Sequence, residues 1–156
     1  MDDTPDFRPS ANDTSHDGDF HAWAMDQGRK LRDGQLNALD VLNLAEEIED
    51  MGRAEKRELT NRLAVLLTHL LKWAAQPARR GRSWLATIGE QRDQADLLLR
   101  DNPSLRPLLT EIMGDAYRLG RRAALRETRL AADRLPAACP WEVGQVLDEG
   151  FLPEPF

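Results

Sequence analysis

Apolar residues recur every three or four positions from Asp19 onward, which is the period of an amphipathic α-helix. No stretch shows the strict alternation of apolar and polar residues that is typical of a half-buried β-strand. The first apolar stripe begins after Asp19, a residue type that caps helices, and stops before Gly34, which favours a helix end. The pattern therefore predicts a first helix between these two residues.

A second and much longer stripe follows Asp40, another capping residue type, and continues until Pro77. A helix of about 35 residues would be roughly 50 Å long, which exceeds the usual length in a domain of this size. We therefore expect a long second helix with a bend near Gly52. The members of its stripe are Leu44, Ile48, Gly52, Glu55, Leu59, Leu63, Leu66, Leu70 and Trp73.

Two further stripes predict a third and a fourth helix in the second half of the chain. Ser83 is placed to cap the third helix, which the turn at Asp101–Pro103 would end. Ser104 is placed to cap the fourth, and Pro107 fits there because the first amides of a helix need no intrahelical acceptor. Small side chains on the fourth helix would let another helix approach closely. They are Gly114, Gly120 and Ala124.

The segment after Pro136 predicts a short helix and an apolar clip that packs onto the other helices. Its apolar residues are Trp141, Val146, Leu147, Phe151 and Leu152. Together, these elements predict an all-α fold. We expect a four-helix bundle-like domain with one long, bent second helix and a C-terminal clip.

The composition is that of a soluble globular protein, with 41% hydrophobic and 31% charged residues among 156. No apolar run approaches the roughly 18 residues that a membrane span needs, and the N-terminus lacks the regions of a secretory signal. The single cysteine, Cys139, excludes a disulfide within one chain and a cysteine-based zinc cluster. We therefore expect a cytoplasmic protein without a membrane segment.

Charge is distributed unevenly along the chain. Residues 1–19 contain six aspartates and one arginine, a composition too polar to form a core. We therefore predict a disordered acidic arm over residues 1–17 and a single helical domain over residues 18–156. The formal net charge of −6 argues against a general attraction to nucleic acid, although basic residues gather at Lys72–Arg82 and Arg118–Arg134.

Several separated strings carry a family resemblance, in this order: DFHAWAMDQGRKLRDG, LNLAEEIEDMGRAEKREL, LLTHLLKWAAQPARRGRSW, NPSLRPLL, CPW and LDEGFLPE. In order and spacing they resemble the bacterial domain of unknown function 29 family, from about Asp19 to Pro153. The resemblance implies an all-α fold, and it implies no established activity. The chain departs from the family in AAQP, where an aromatic residue or glutamine often precedes the proline, and in its polar N-terminal arm.

Four carboxylates crowd the start of the second helix and raise the question of a metal site. Glu47 and His69 would lie roughly 33 Å apart along one helix, so they cannot share a metal unless the chain reverses. No glutamate of the cluster has a histidine three residues later, as helical di-metal sites require. We interpret the cluster as a solvated face that complements the helix dipole, and we expect no metal ligand. Its members are Glu46, Glu47, Glu49 and Asp50.

Two other glutamates interrupt apolar stripes. Glu55 lies in the stripe of the second helix and Glu127 in that of the fourth. A buried carboxylate needs a partner, because an unpaired one would cost several kcal/mol. An arginine of the fourth helix, or Arg79 or Arg80, could supply it. We therefore predict a buried polar network that includes both glutamates.

No set of side chains in the sequence predicts catalysis. His69 lies between leucines, where a hydrogen-bonded core histidine is commoner than a catalyst. The serines occupy the arm or helix caps, and neither a nucleophile elbow nor a phosphate-binding glycine loop is present. We therefore expect no catalytic residue, no cofactor and no enzyme, with a metal-dependent hydrolase as a distant third interpretation.

The connection QPARRGRSW is the segment of the chain that most resembles a binding loop. Arg79, Arg80, Arg82 and Trp84 precede or open the third helix, whose free amides attract anions. They could bind a phosphate, a nucleic-acid backbone or an acidic segment of a partner. Alternatively, the arginines pair with the acids of the second helix while Trp73 and Trp84 cover the end of the bundle.

A ridge of arginines on the fourth helix also has two interpretations. It is either a solvated face or a binding site for an acidic partner or for the acidic arm. These arginines are Arg118, Arg122, Arg126 and Arg129. The sequence favours a non-enzymatic interaction module that binds an unidentified protein or associates with itself. The alternative is an anion- or nucleic-acid-binding protein that uses Arg79, Arg80 and Arg82.

Overall fold

The computed structural model describes residues 14–156 and contains only helices, turns and loops within that range. This confirms the all-α class. Four of the predicted helices and the short fifth one are present: α1 Phe20–Arg32, α2 Val41–Ala75, α3 Arg82–Asp101, α4 Leu109–Thr128 and α5 Val143–Leu147. Most of the predicted disordered arm, residues 1–13, lies outside the described residues.

The chain divides into two compact units, Met1–Met51 and Gly52–Phe156, which we call the N-terminal and C-terminal units. The prediction of one domain over residues 18–156 did not separate them. The boundary falls inside α2, whose helical hydrogen bonding continues without a break from Val41 to Ala75. The length predicted for this helix is confirmed, and the bend at Gly52 stays a prediction.

Helix α1 and the start of α2 form a helical hairpin in the N-terminal unit. The Asp19 carboxylate accepts the amide of Ala22 at 2.9 Å, and Gly34 has a left-handed φ of +72° just past the helix end. Both predicted ends of α1 are therefore confirmed. Asp40 links the two helices, because its carboxylate accepts the indole of Trp23 at 3.1 Å and its amide donates to Gln27 Oε1 at 2.8 Å.

The core of the C-terminal unit is formed by the second half of α2 packed with α3 and α4. Its buried apolar side chains begin at Leu59 and include Leu63, Leu66, Leu70, Ile88, Ala95, Ile112 and Ala116. The predicted close approach of helices occurs at Gly120, where an added Cβ would lie 2.7 Å from the carbonyl oxygen of Ala64. The hydroxyl of Thr68 lies 2.7 Å from that oxygen and 3.2 Å from the carbonyl oxygen of Gly120.

Two predicted caps are wrong. Helix α3 begins at Arg82, with Gly81 as its N-cap, so Ser83 lies inside the first turn. Ser104 lies within the 3-10 segment Pro103–Leu108, and α4 begins only at Leu109. Pro107 has no amide hydrogen and disfavours α conformation in the residue before it, so the α-helix starts after this proline.

The C-terminal segment packs against α3 and the core, as the predicted clip requires. Val146 of α5 is completely buried, and a capping box between Glu142 and Gln145 opens this helix. The buried guanidinium of Arg92 donates hydrogen bonds to three carbonyl oxygens of this segment. Local propensity alone would not stabilise a helix of five residues, so these tertiary contacts hold it in place.

Candidate functional site

Two adjoining cavities form a groove along helices α2 and α4 in the C-terminal unit. Their volumes are about 440 and 470 Å³, and they share Asn61 and Leu119. We call this surface the α2–α4 groove. Its basic lining side chains are Arg53, Lys56, Arg57, Arg118, Arg122 and Arg126.

The apolar part of the groove follows from the close crossing of the two helices. Gly120 packs directly on the backbone of Ala64, so the two helices lie too close together for every neighbouring side chain to fit between them. Val65 and Leu119 remain 41% and 39% exposed beside it. An aliphatic strip therefore runs between two basic edges.

The groove has a marked excess of positive charge. Its acidic neighbours are Asp115, which accepts Arg118 at 3.1 Å, and Glu111, which accepts Lys56 at 2.7 Å. With Arg53 left out of the sum, the other five basic side chains and these two carboxylates give a formal charge of +3. Arg57, Arg122 and Arg126 have no ion pair within residues 14–156.

The predicted arginine ridge only partly coincides with this groove. Arg118, Arg122 and Arg126 line it, whereas Arg129 ends α4 in a left-handed conformation with φ of 57°. The sequence interpretation missed the opposite basic edge on α2. Its signal was present, since Arg53 and Arg57 are four residues apart and therefore share one helical face.

The predicted binding loop is organised around an internal contact. The guanidinium of Arg80 lies 5.0 Å from the ring centre of Trp73, and its Nε donates to the Trp73 carbonyl at 2.9 Å. Arg79 and Arg82 are exposed. In the part of the chain that the structure describes, Arg79, Arg80 and Arg82 form no ion pair with α2 acids, so the predicted pairing is absent there.

The tryptophan of this loop contacts a lysine. The ring centre of Trp84 lies 4.9 Å from the ammonium of Lys72, which also donates to Glu127 at 2.8 Å. Trp84 is half-buried, and Trp73 packs against the core. The two tryptophans therefore contribute to packing at this end of α2, as one of the two sequence interpretations expected.

The predicted buried network of glutamates is wrong. Glu55 is exposed, and its Oε2 atom lies 3.5 Å from the side-chain nitrogen Nδ2 of Asn102. Glu127 is also exposed and pairs with Lys72. Both carboxylates are in contact with water although their positions continue the apolar stripes, so neither needs a buried partner.

The acidic cluster and the histidines do not converge on a metal site. No group of three potential metal-binding side chains of His, Cys, Asp or Glu occurs within residues 14–156. His69 is half-buried, and its Nδ1 lies 2.9 Å from the carbonyl oxygen of Val65 in the preceding turn. Its hydrogen bond is thus to its own helix.

One member of the acidic cluster has an unpredicted partner. Glu47 lies 2.7 Å from Nε2 of His16, which also packs edge-on against the ring of Trp23. Hydrogen bonds with Glu47 and with Asp17 raise the pKa of His16 above its ordinary value. His16 belongs to a polar segment that gave no periodic signal, so only the folded hairpin reveals this contact.

A further cavity of about 580 Å³ lies between α4 and residues 137–139. Its polar groups hold the chain in place, because the hydroxyl of Tyr117 and Nε of Arg121 both donate to the carbonyl of Pro136. Burial raises the pKa of Tyr117 to about 12 and also raises that of Cys139. Both shifts favour the protonated forms of these groups.

Comparison with known proteins gives one family match. No curated protein and no solved structure matches the chain. None of the helices described in residues 14–156 combines the length and apolarity that crossing a membrane requires. Residues 16–152 match the family described as "Domain of unknown function DUF29", and the chain therefore belongs to that family.

Proposed function

We propose that this protein is a non-enzymatic interaction module that binds an acidic segment of a partner protein in the α2–α4 groove. One observation carries the proposal: Arg57 and Arg122, without ion pairs in residues 14–156, flank the exposed aliphatic strip of Val65 and Leu119. Burying the strip favours association, and the arginines select a negatively charged partner. A bacterial, cytoplasmic setting belongs to this proposal and fits a chain with a single thiol.

The shape and chemistry of the groove favour an amphipathic helix as the bound segment. The lining extends from Arg53 to Thr68 along α2, which corresponds to about 22 Å. A helix of about 15 residues covers that distance and presents apolar side chains at three- and four-residue spacing. Acidic side chains on both sides of such a stripe would meet the two basic edges of the groove.

A protein segment fits this surface better than a nucleic acid does. Single-stranded nucleic acids are commonly held by aromatic rings that stack on bases, and none of residues 14–156 supplies an aromatic ring to the lining of the groove. The net charge of −6 also opposes a polyanion at long range, whereas a short acidic segment can approach the basic groove locally.

The proposal is tested by fluorescence anisotropy with a labelled amphipathic peptide of about 15 residues that carries leucines on one face and glutamates on its flanks. We expect salt-sensitive binding that Arg57→Glu/Arg122→Glu weakens at least about tenfold. Arg100→Glu/Arg134→Glu is the matched control, because it makes the same charge change at exposed positions outside the groove. Equal binding by both double variants would contradict the proposal.

The same experiment addresses the second candidate function, anion or nucleic-acid binding at the loop before α3. Exposed Arg79 and Arg82 beside the N-terminus of that helix favour this candidate. A labelled single-stranded RNA serves as the probe. If RNA binds in preference to the acidic peptide and Arg79→Ala/Arg82→Ala abolishes its binding, the second candidate is correct and the groove proposal is wrong.

A further inference from the structure

The cavity between α4 and residues 137–139, which we call the α4 cavity, has the size of a small-molecule site. Its volume of about 580 Å³ falls within the roughly 300–1,000 Å³ in which proteins commonly bind drug-sized ligands and cofactors. The residues that line it belong to the C-terminal unit, so one unit forms the whole cavity. Its size therefore suits a ligand, and the chemistry of its lining decides which kind.

Hydrogen bonds to main-chain oxygens hold the segment that faces α4 in a fixed position. The carbonyl oxygen of Pro136 accepts the hydroxyl of Tyr117 at 2.7 Å and Nε of Arg121 at 2.8 Å. Nη2 of Arg121 also donates to the carbonyl oxygens of Ala132 and Leu135, at 2.6 and 3.2 Å. Because these bonds are made within the chain, the walls of the cavity are ordered before a ligand arrives, which lowers the entropic cost of binding.

The lining combines small side chains with an apolar floor. Gly114, Ala137 and Ala138 leave space because they have little or no side chain. Tyr117 is buried and Leu125 is half-buried, so an aromatic ring and an aliphatic side chain form the deeper part of the cavity. A compact apolar group that displaces water from this part of the cavity would be favoured by the burial of both surfaces.

The lining is also strongly basic. Arg118, Arg121 and Arg122 belong to it, and none of residues 14–156 contributes a carboxylate. Asp115 accepts Arg118 at 3.1 Å, so the three arginines and this one carboxylate leave a formal charge of +2. Arg122 is exposed and has no ion pair within residues 14–156. Its guanidinium is therefore available to an external anion.

We infer that the α4 cavity binds a small organic anion, whose carboxylate or phosphate group pairs with Arg122 while its apolar body packs against Tyr117 and Leu125. A guanidinium presents a planar fork of N–H donors that matches the oxygens of either group. An inorganic anion would leave the apolar floor uncovered, and a neutral apolar molecule would leave the guanidinium without a counter-charge. An anion with an apolar body uses both features of the cavity.

This site can be tested separately from the α2–α4 groove of the proposed function. Arg118 and Arg122 line both surfaces. Of the residues that differ, Gly114 lines the α4 cavity and Arg57 lines the groove. Variants at these two positions therefore change one site and spare the other. The inference does not require that the groove binds a peptide.

The inference is tested by NMR titration of the isotope-labelled full chain with three probes that share one ring system: 2-naphthoate, 2-naphthyl phosphate and the neutral 2-naphthylmethanol. We expect saturable amide shifts at residues 114–125 and 135–139 with the anions, and at least about tenfold weaker binding of the alcohol. The tighter of the two anions identifies the charged group that the site prefers. Equal binding of the alcohol and the anions would overturn the inference, and so would an absence of saturable shifts.

Gly114→Leu is the variant that blocks the cavity. Nothing lies within 4 Å of a Cβ added at Gly114, so the new side chain would enter open space, and its higher helix propensity preserves the fold. Naphthoate binding should weaken at least about tenfold. Gly89→Leu is the matched control, because Gly89 is also an exposed helical glycine with nothing within 4 Å, but it lies outside this cavity. Equal binding by both variants would overturn the inference.

Two arginine variants test the role of charge and distinguish this site from the groove. Arg122→Gln removes the counter-charge and should weaken binding of both anions at least about fivefold, with little effect on the alcohol. Arg57→Glu alters the groove and should leave naphthoate binding unchanged, although it weakens binding of the acidic peptide if the proposed function is correct. Loss of naphthoate binding in Arg57→Glu but not in Arg122→Gln would place the anion in the groove and overturn the inference.

Discussion

Nε of Arg92 donates a hydrogen bond of 2.9 Å to the carbonyl oxygen of Val146, joining the middle of α3 to α5. The same guanidinium donates to the carbonyl oxygens of Glu149 and Phe151 at 3.2 and 2.7 Å. Arg92 is 4% exposed, so these three bonds replace water for a cation that burial would otherwise penalise. One side chain therefore ties three points of the C-terminal segment, residues 146, 149 and 151, to α3.

We predict that Arg92→Met lowers the free energy of unfolding by about 2–4 kcal/mol, because it removes three hydrogen bonds and leaves the buried carbonyl of Val146 without this donor. Urea denaturation followed by circular dichroism measures this loss. Limited proteolysis should also show earlier cleavage near residues 147–152. Arg100→Met, an exposed change on the same helix, should alter stability by less than about 0.5 kcal/mol. Similar losses for both variants would contradict the clamping role of Arg92.

We predict that Gly120→Ala destabilises the C-terminal unit by about 1–3 kcal/mol, because the added methyl group would lie 2.7 Å from the Ala64 carbonyl. Gly114→Ala is the matched control on the same helix. Nothing lies within 4 Å of its added Cβ, so its better helix propensity should stabilise the protein by up to about 1 kcal/mol. Thermal unfolding of the two variants should therefore shift in opposite directions.

We predict that protonation of His16 adds stability to the N-terminal hairpin through its contact with Glu47. The folded-state pKa of His16 is raised from 6.5, so this stabilisation is complete below about pH 6.5 and disappears as the pH rises through the folded value. Proton NMR titration should show a lower pKa of His16 in Glu47→Gln. An unchanged pKa in that variant would mean that the contact is absent in solution.

We predict slow modification of Cys139 in the native protein. Burial is the largest cause that raises the pKa of its thiol, so little reactive thiolate exists at neutral pH. A thiol reagent should modify the native protein more slowly than free cysteine, and unfolding in urea should remove the difference. Rapid modification of the folded chain would place Cys139 in a more open environment than the packed residues beside Trp141.

Much of the helical architecture was predictable because its signals are local. Asp19 and Gly34 delimit α1, and Pro77 follows the end of α2, since capping and the missing proline amide act within one turn. Ser83 and Ser104 have a residue type that commonly caps helices, but neither lies at a helix start. Gly81 had already opened α3, and Pro107 delayed the start of α4.

The groove and the contacts between distant side chains were less predictable from the sequence. Arg118 and Arg122 were identified by helical spacing, but Arg57 joins them only because α2 and α4 cross closely at Gly120. In the same way, the sequence predicts Arg80 as a ligand for an external anion, whereas its guanidinium lies over the ring of Trp73 in the structure. Which partner a long charged side chain selects depends on elements that are far away in sequence.

By itself, the sequence of this protein determined the helical class, the approximate helix limits and the position of each apolar stripe. Periodicity and capping residues express these properties within a few neighbouring positions. The tertiary structure decided which parts of those stripes are covered: the α2 stripe is buried at Leu59 and exposed at Ile48. It also left Glu55 in solvent and buried Arg92. Burial depends on what packs against a residue, and that information belongs to the folded chain as a whole.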